Sequence, residues 1–281
     1  MILFGTLRLL HDGLDVAREP FRFIDPWSRS LGNIENEPER VVRLNEEELA
    51  RGRIGRVFRG QLEDSSSILH VVVKLVAPTS FITQSPHGAR HFLYSNQHRK
   101  RNNAAPFLLD LAHEARIYAS SSPGLRSLQG SIVPLCIGYA VNERATSACL
   151  ILEDAGDALP FPYKRLPLPE RRTLYELQVK LHEAGVSHGD VARRNFVKSS
   201  KGIRLIDFDR ASFHKCPRFS VANNLNISSG TMNSRSECAE LERWFRLFGL
   251  YLAEDDVKGR REGFVPWDGR PWGEDVVSDS G

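Results

Sequence analysis

Regularly spaced apolar residues divide the middle of the chain into a succession of predicted strands and helices. From Val41 to about Leu75 the pattern is strand, glycine turn, strand, loop and strand, and the last of these strands is rich in β-branched residues. Apolar side chains at helical spacing predict a helix over 105–120. Two further strands are predicted at 132–142 and 147–153.

The second half of the chain carries fewer strong apolar patterns. Helical spacing predicts one helix over 169–183 and another over 235–252. The segments 77–104 and 213–236 are largely polar and are predicted to be loops. The pattern therefore predicts a chain of mixed strands and helices, without an internal repeat.

Length and charge narrow the class of protein. A chain of 281 residues with 41% hydrophobic residues suits one large domain or two lobes that share a cleft. The net charge of +3 does not indicate a nucleic-acid partner, and the basic run at 98–101 is interpreted as a solvated turn. No segment approaches the roughly 20 apolar residues of a membrane span. We therefore expect a cytoplasmic or nuclear protein without a membrane partner.

The four cysteines are widely separated along the chain. They are Cys136, Cys149, Cys216 and Cys238, and no C-x-x-C pair occurs among them. This spacing argues against a zinc site and against a disulfide framework, and it favours a reducing compartment.

The stretch from His188 to Asn195 contains the most chemically informative residues. Asp190 is followed five residues later by Asn195, and Asp207 ends a short apolar strand further on. Phosphoryl transfer needs a group that orients the attacking hydroxyl, oxygen ligands for Mg²⁺ and cations on the phosphates. Asp190 suits the first task, and Asn195 and Asp207 suit the second. The sequence therefore predicts a phosphotransferase centre at these residues.

Further motifs precede this centre in a fixed order. They are a glycine-rich segment at 49–57, a lysine within a β-branched strand, a helix that contains Glu114, and a strand that ends in an acidic linker at 149–156. This order resembles the protein-kinase-like superfamily, and most closely the divergent kinase-like proteins of fungi. The resemblance extends over about residues 41–253.

The resemblance implies an α+β, two-lobed protein-kinase-like fold. Its parts would be an N-terminal extension (1–40), a small β-rich N-lobe (41–153), a short and mostly helical C-lobe (154–253) and a C-terminal tail (254–281).

In such proteins the glycine-rich loop covers the phosphates of ATP. The resemblance implies that Gly52, Gly55 and Val57 contact ATP, since backbone N–H groups approach phosphate oxygens closely where no side chain intervenes. Ala50 stands where the family usually has its first glycine, so the match is partial. The alternative is a plain hairpin turn.

Lys74 and Glu114 are the implied holders of the triphosphate. Lys74 would bind the α- and β-phosphates, and Glu114 would orient the ammonium, with Asp110 one helical turn earlier as the reserve partner. The alternatives are a lysine that faces solvent on an edge strand and a solvated helical glutamate.

The remaining site residues follow from the same resemblance. Glu153 to Ala155 would contact adenine. Asp190 would accept the proton of the acceptor hydroxyl, and Arg194 would supply a cation near the γ-phosphate. Asn195 and Asp207 would hold Mg²⁺, with Mn²⁺ as a substitute, whereas His188 is interpreted as a buttress of the loop.

Departures from the family pattern bear on the acceptor. Gly189 replaces the arginine that usually contacts a phosphorylated activation segment, and Asp209 replaces the usual glycine. The family resemblance alone implies an ATP-dependent phosphotransferase with a protein serine or threonine as the first expected acceptor, whereas these two substitutions favour a small-molecule alcohol. The alternatives are a small-molecule kinase of the aminoglycoside or choline type and a catalytically silent scaffold.

Overall fold

The structure of the chain is a computed structural model, which describes ten segments of the sequence. They are residues 6–11, 14–15, 20–26, 39–51, 55–64, 67–77, 105–159, 162–190, 192–219 and 238–250. The loops predicted at 77–104 and 213–236 and the tail predicted at 254–281 lie wholly or mostly outside these segments.

Strands of the first half form one closed barrel. In chain order the strands are β1 (Thr6–His11), β2 (Leu14–Asp15), β3 (Phe21–Phe23), β4 (Arg40–Arg51), β5 (Arg56–Asp64), β6 (Ser67–Val76), β7 (Cys136–Asn142) and β8 (Ala148–Glu153). The order around the barrel is β1-β3-β7-β8-β6-β5-β4, and β2 extends the sheet beside β1. Neighbouring strands of the barrel are antiparallel except β1 and β4, which pair in parallel and close it.

The closed barrel overturns the predicted two-lobed fold. The pairing of β1 with β4, with Leu7 opposite Arg40, joins the two edges of an otherwise open sheet. It forms because Leu7 and Leu9, on one side of β1, are only 0% and 2% exposed and complete the barrel core. The prediction of a mostly helical second lobe was also wrong, because the described residues contain a seven-stranded barrel and only three α-helices besides short 3₁₀ turns.

Alternation along the strands separates the packed interior of the barrel from its outer face. On β6, Val71, Val73 and Leu75 belong to the interior core, whereas Val76 belongs to the core outside the barrel. Lys74 has the same parity as Val76 and therefore lies on the outer face. Since apolar side chains fill the interior, the candidate chemistry lies outside the barrel.

One helix packs on the barrel, and two more lie in the second half of the chain. Helix α1 (Ala105–Ala119) packs on β6, β7 and β8, while α2 (Leu168–Glu183) contacts α3 (Ala239–Leu247). The helices predicted at 105–120 and 169–183 are confirmed. The helix predicted over 235–252 is shorter, because Gly249 adopts a φ of 63° just past its end. Within the described residues, these helices are too short or too polar to cross a lipid bilayer.

Short strands place the chemically informative loops. They are β9 (Asp157–Ala158), β10 (Val186–Ser187), β11 (Phe196–Ser199), β12 (Gly202–Leu205) and β13 (Ser212–Phe213). β11 pairs with both β9 and β12, and β10 pairs with β13. Asp190 therefore lies in the loop between β10 and β11, and Asp207 lies in the loop between β12 and β13.

A second apolar core joins the outer face of the barrel to the rest of the described chain. It includes side chains from α1, β8, α2, β11 and α3. Phe196 contacts Trp244 edge to face, with ring centroids 5.4 Å apart, and Trp244 stacks on Phe248 at 5.2 Å. This core fixes the loops around Asp190 and Asp207 relative to α1.

Candidate functional site

A lysine held between two carboxylates lies at the centre of the candidate site. Lys74 Nζ lies 2.7 Å from Glu114 Oε2 and 2.6 Å from Asp207 Oδ1. Lys74 comes from β6, Glu114 from α1 and Asp207 from the loop after β12. The structure thus brings together three of the predicted residues, and Glu114, not the reserve candidate Asp110, contacts the lysine.

Burial makes these charges strongly dependent on each other. The side chain of Glu114 is 1% exposed and that of Lys74 is 9% exposed. Burial works to lower the pKa of Lys74, but the two neighbouring carboxylates raise it above its ordinary value. Burial also works to raise the pKa of Asp207, but the charge and hydrogen bond of Lys74 lower it below the usual range. At neutral pH, Lys74 is therefore a cation and Asp207 an anion.

Glu114 is fixed by contacts on both of its carboxylate oxygens. Oε2 accepts from Lys74, and Oε1 accepts from the backbone N–H of Phe208 at 3.2 Å. The ring of Phe208 packs edge-on against Tyr118, one helical turn beyond Glu114, with centroids 5.5 Å apart. Burial raises the pKa of the Glu114 carboxyl, and Lys74 opposes that increase. Glu114 therefore holds both the lysine and the backbone next to Asp207.

Asp207 has an uncommon backbone conformation. Its φ of 69° lies in the left-handed region, which residues other than glycine rarely adopt. Such conformations cost on the order of 1 kcal/mol and concentrate at functional sites. Here the conformation accompanies the contact between the Asp207 carboxylate and Lys74.

The loop that carries Asp190 is organised around the Asp190 side chain. Its Oδ1 accepts from the N–H of Ala192 at 3.2 Å, and its Oδ2 accepts from the guanidinium of Arg194 at 3.0 Å. Asn195 Nδ2 donates to the Asp190 carbonyl at 3.4 Å. Asp190, Arg194 and Asn195 are thus direct neighbours, as a shared site requires.

Backbone contacts join this loop to Asp207. Ile206, the residue before Asp207, donates its N–H to the Asn195 carbonyl at 2.9 Å. The Ile206 carbonyl accepts from His188 Nε2 at 3.1 Å. Burial lowers the pKa of His188, so the ring is neutral at pH 7 and acts as a buttress. After the larger effect of Lys74, the charge of Arg194 also lowers the pKa of Asp207, so the two loops influence each other electrostatically.

Two glycines are required by close approach of the backbone. A Cβ on Gly189, whose φ is 74°, would lie 2.3 Å from the Arg210 carbonyl oxygen. A Cβ on Gly55 would lie 2.4 Å from the carbonyl oxygen of Leu75, next to Lys74. Gly55 therefore has a packing role beside the implied phosphate role.

The other two residues of the predicted phosphate loop are placed differently. Val57 lies on β5 directly opposite Lys74 and is half-buried. Gly52 lies outside the described residues. The covering of phosphates by this loop therefore remains a prediction.

The predicted adenine segment is tied down by ionic contacts. The Glu153 carboxylate accepts from Arg204 at 2.6 Å and from Lys201 at 2.9 Å, and its backbone N–H is donated to the Leu135 carbonyl. An adenine contact at Glu153 would therefore use its carbonyl oxygen. Ala155 is 4% exposed. The role of this segment in adenine binding stays a prediction.

A group of residues close to the Asp190 loop was not predicted from the sequence. Glu240, at the start of α3, accepts from the Gly189 N–H at 3.0 Å and also from the Ser187 hydroxyl. Its Oε2 lies 3.2 Å from His182 Nε2, and His182 lies in a cluster of histidines and cysteines. The separation of more than 50 residues between Ser187 and Glu240 gave no local motif from which to predict this contact.

The chain was compared with known proteins at the level of families and of single sequences. No protein-family model matches it, and no curated protein matches it. The function is therefore inferred from the chemistry and geometry of the site itself.

Proposed function

We propose that this protein is an ATP-dependent phosphotransferase that moves the γ-phosphate of ATP to a hydroxyl group, with a protein serine or threonine as the acceptor. The observation that supports this most is the Lys74 ammonium held between Glu114 and Asp207, beside the loop of Asp190 and Asn195. A buried cation, two groups of oxygen ligands and a carboxylate for the acceptor are the parts that phosphoryl transfer uses.

In this proposal Lys74 binds the phosphates of ATP. Its ammonium carries three N–H donors, and Glu114 and Asp207 each accept one in the structure. Glu114 is buried and also bound to the Phe208 N–H, so it stays with Lys74 when ATP binds. Asp207 is 31% exposed and is free to exchange its contact with Lys74 for a contact with a cation.

The donor atoms of Asn195 and Asp207 fit a magnesium ion. Mg²⁺ prefers oxygen ligands, and a carboxylate and an amide oxygen are available here. The hydrogen bond from Asn195 Nδ2 to the Asp190 carbonyl turns the amide so that Oδ1 is the end left for a cation. When bound, Mg²⁺ would neutralise charge on the β- and γ-phosphates.

Asp190 is the proposed acceptor of the hydroxyl proton. Its two carboxylate oxygens are oriented by the Ala192 N–H and by the Arg194 guanidinium. The Arg194 side chain is 69% exposed, so it is able to turn from Asp190 toward a phosphate while the loop keeps its shape. Charge near the transferred phosphoryl group would then be stabilised without rearrangement of the backbone.

The test is transfer and release of label from γ-labelled ATP with Mg²⁺ or Mn²⁺. Asp190→Asn should abolish turnover, whereas ATP binding in a parallel titration should persist. Asp157→Asn is a matched control, since its carboxylate is 81% exposed and contacts Arg59 instead of the Asp190 loop. Equal turnover in wild type and Asp190→Asn would refute the proposal.

The acceptor is tested separately from ATP chemistry. Label in protein bands from a serine- and threonine-containing substrate panel would support the proposed acceptor class. Label found only in low-mass alcohols would replace it with the small-molecule alternative. If ATP binds but no label leaves it with either panel, the protein is a nucleotide-binding scaffold.

A further inference from the structure

Four side chains with metal-ligating atoms meet at the end of α2. They are His182 from α2, His214 and Cys216 from the segment after β13, and Cys238 immediately before α3. One ligand atom from each residue can be chosen so that all four lie within 4.8 Å of one another. Three separate parts of the chain thus supply two imidazoles and two thiols to one point.

The spacing within the cluster matches a tetrahedral zinc ion. Zinc lies about 2.3 Å from cysteine sulfur and about 2.0–2.1 Å from histidine nitrogen, and tetrahedral angles then place sulfur and nitrogen about 3.5 Å apart. Cys238 Sγ lies 3.5 Å from His182 Nδ1 and 3.5 Å from His214 Nε2. We propose that His182, His214, Cys216 and Cys238 form a structural zinc site.

Ligand type and burial favour zinc and a structural role. Two thiolates and two imidazoles are a common ligand set for structural zinc, and thiolates disfavour magnesium and calcium. His182, Cys216 and Cys238 are 1%, 6% and 3% exposed. Since four protein ligands complete a tetrahedron, no position is left for water or substrate, so the site is not catalytic.

The surroundings of His182 support metal binding by its Nδ1 atom. Its other nitrogen, Nε2, lies 3.2 Å from Glu240 Oε2. Histidines that bind metals usually place their second nitrogen against a carboxylate or carbonyl, which fixes the ring and increases its basicity. Glu240 is therefore the outer partner of the proposed site.

The same glutamate connects the cluster with the loop of Asp190. Glu240 Oε1 accepts from the Gly189 N–H at 3.0 Å, and Glu240 Oε2 accepts from the Ser187 hydroxyl. A metal ion that fixes His182 thus also fixes Glu240, and through it the backbone immediately before Asp190. The proposal does not depend on phosphotransferase activity, because metal content is measured without ATP.

The first experiment measures metal in the full chain. Protein purified without chelators from zinc-supplemented medium is analysed by elemental mass spectrometry, and about one zinc ion per chain is expected for a single closed site. Cys216→Ser and Cys238→Ser should each lose most of this zinc. Cys136→Ser, a half-buried cysteine outside the cluster, should keep it and is the matched control. Glu240→Gln should weaken zinc affinity by about 10–100-fold while leaving the four ligands in place.

A second measurement keeps the test valid if the cysteine variants fail to fold. Wild-type protein loaded with Co²⁺ should show the intense visible bands of a tetrahedral site and a sulfur-to-metal charge-transfer band. Wild type that holds no zinc and gives no such spectrum would overturn the proposal. So would retention of zinc by Cys238→Ser, or a disulfide between Cys216 and Cys238 found by peptide mapping of the unreduced wild type.

Discussion

Replacement of Lys74 by methionine provides the sharpest test of the charge arrangement at the site. Methionine keeps an unbranched apolar side chain of similar length but removes the ammonium. Glu114 is then left as a carboxylate that is 1% exposed, with the Phe208 N–H as its one remaining donor among the contacts described above. The variant thus converts a buried ion pair into a buried charge without a counterion.

The expected loss of stability follows from burial. Removal of one partner from a buried ion pair costs about 3–5 kcal/mol, because the other charge stays desolvated. The second contact of Lys74, with Asp207, adds little, since Asp207 is 31% exposed and pairs at such positions contribute about 0–1 kcal/mol. We therefore expect Lys74→Met to lower the free energy of unfolding by about 3–5 kcal/mol at pH 8.

A compensating change separates charge from packing. Glu114→Gln removes the negative charge, and the amide oxygen of glutamine still accepts from the Phe208 N–H. The double variant Lys74→Met with Glu114→Gln should therefore regain most of the lost stability. The interaction energy from the double-mutant cycle should reach about 2 kcal/mol or more, within the range known for contacting residues.

The loss of stability caused by Lys74→Met should also depend on pH. Burial raises the pKa of Glu114, and Lys74→Met removes the cation that opposes that increase. The folded carboxyl then binds a proton at a higher pH than the unfolded carboxyl, whose pKa is about 4.3. The loss of stability is consequently complete above the raised pKa and disappears as the pH falls toward the unfolded value.

Urea unfolding at pH 8 and pH 5.5, followed by tryptophan fluorescence to which the buried Trp244 contributes, measures these differences in the free energy of unfolding. The wild type and the Glu114→Gln variant serve as references at both pH values. If the free energy of unfolding of Lys74→Met lies within about 1 kcal/mol of the wild-type value at pH 8, the reasoning from a buried charge is refuted. A double variant no more stable than the single variant would refute it as well.

Three further predictions concern backbone, core and catalysis. Gly189→Ala should lower the free energy of unfolding by about 1–3 kcal/mol, because the φ of Gly189 is 74° and the new Cβ would lie 2.3 Å from a carbonyl oxygen. Gly202→Ala is the control: its φ is 109°, but nothing lies within 4 Å of the new Cβ, so the loss measured in the same urea titration should be smaller. Phe196→Ala should lower the free energy of unfolding by about 3–5 kcal/mol, while Phe213→Ala, which is 44% exposed, should change the urea midpoint little. Arg194→Gln should lower kcat for phosphate transfer about 10²–10³-fold. The thermal midpoint should stay unchanged, because the Arg194 side chain is 69% exposed. A kcat equal to that of wild type would show that Arg194 takes no part in the mechanism.

Local sequence patterns predicted the elements that depend on local forces. The β-branched strand around Lys74 and the helix around Glu114 have clear periodicity, and the structure contains both as β6 and α1. The contact between these two side chains was predicted from family resemblance, and the 2.7 Å distance places them together. Where the hydrophobic periodicity of a short segment agrees with the secondary-structure propensity of its residues, the segment specifies its own structure.

Closure of the barrel depends on a contact that no local pattern contains. β1 carries Leu7 and Leu9 on one face, and β3 carries Phe21 and Phe23, so the alternation of two strands was present in the segment interpreted as an extension. These strands are short and are separated from β4 and β7, with which they pair, by long stretches of chain. Alternation specifies which face is buried, but the identity of the partner strand is set by the packing of the whole core.

The histidine and cysteine cluster also depends on contacts that local sequence patterns do not predict. Short ligand spacings are the usual sequence signal for zinc, and here only His214 and Cys216 are close in sequence. His182 and Cys238 join them because α2 and α3 pack against each other, a consequence of tertiary packing. Glu240 lies two residues after Cys238 and bonds to the Gly189 N–H, so the packing that assembles the cluster also sets the position of the Asp190 loop. The proposed metal site and the proposed phosphotransferase site are therefore expected to share their stability: loss of the cluster should loosen the Asp190 loop even where every residue of the Lys74 site is intact.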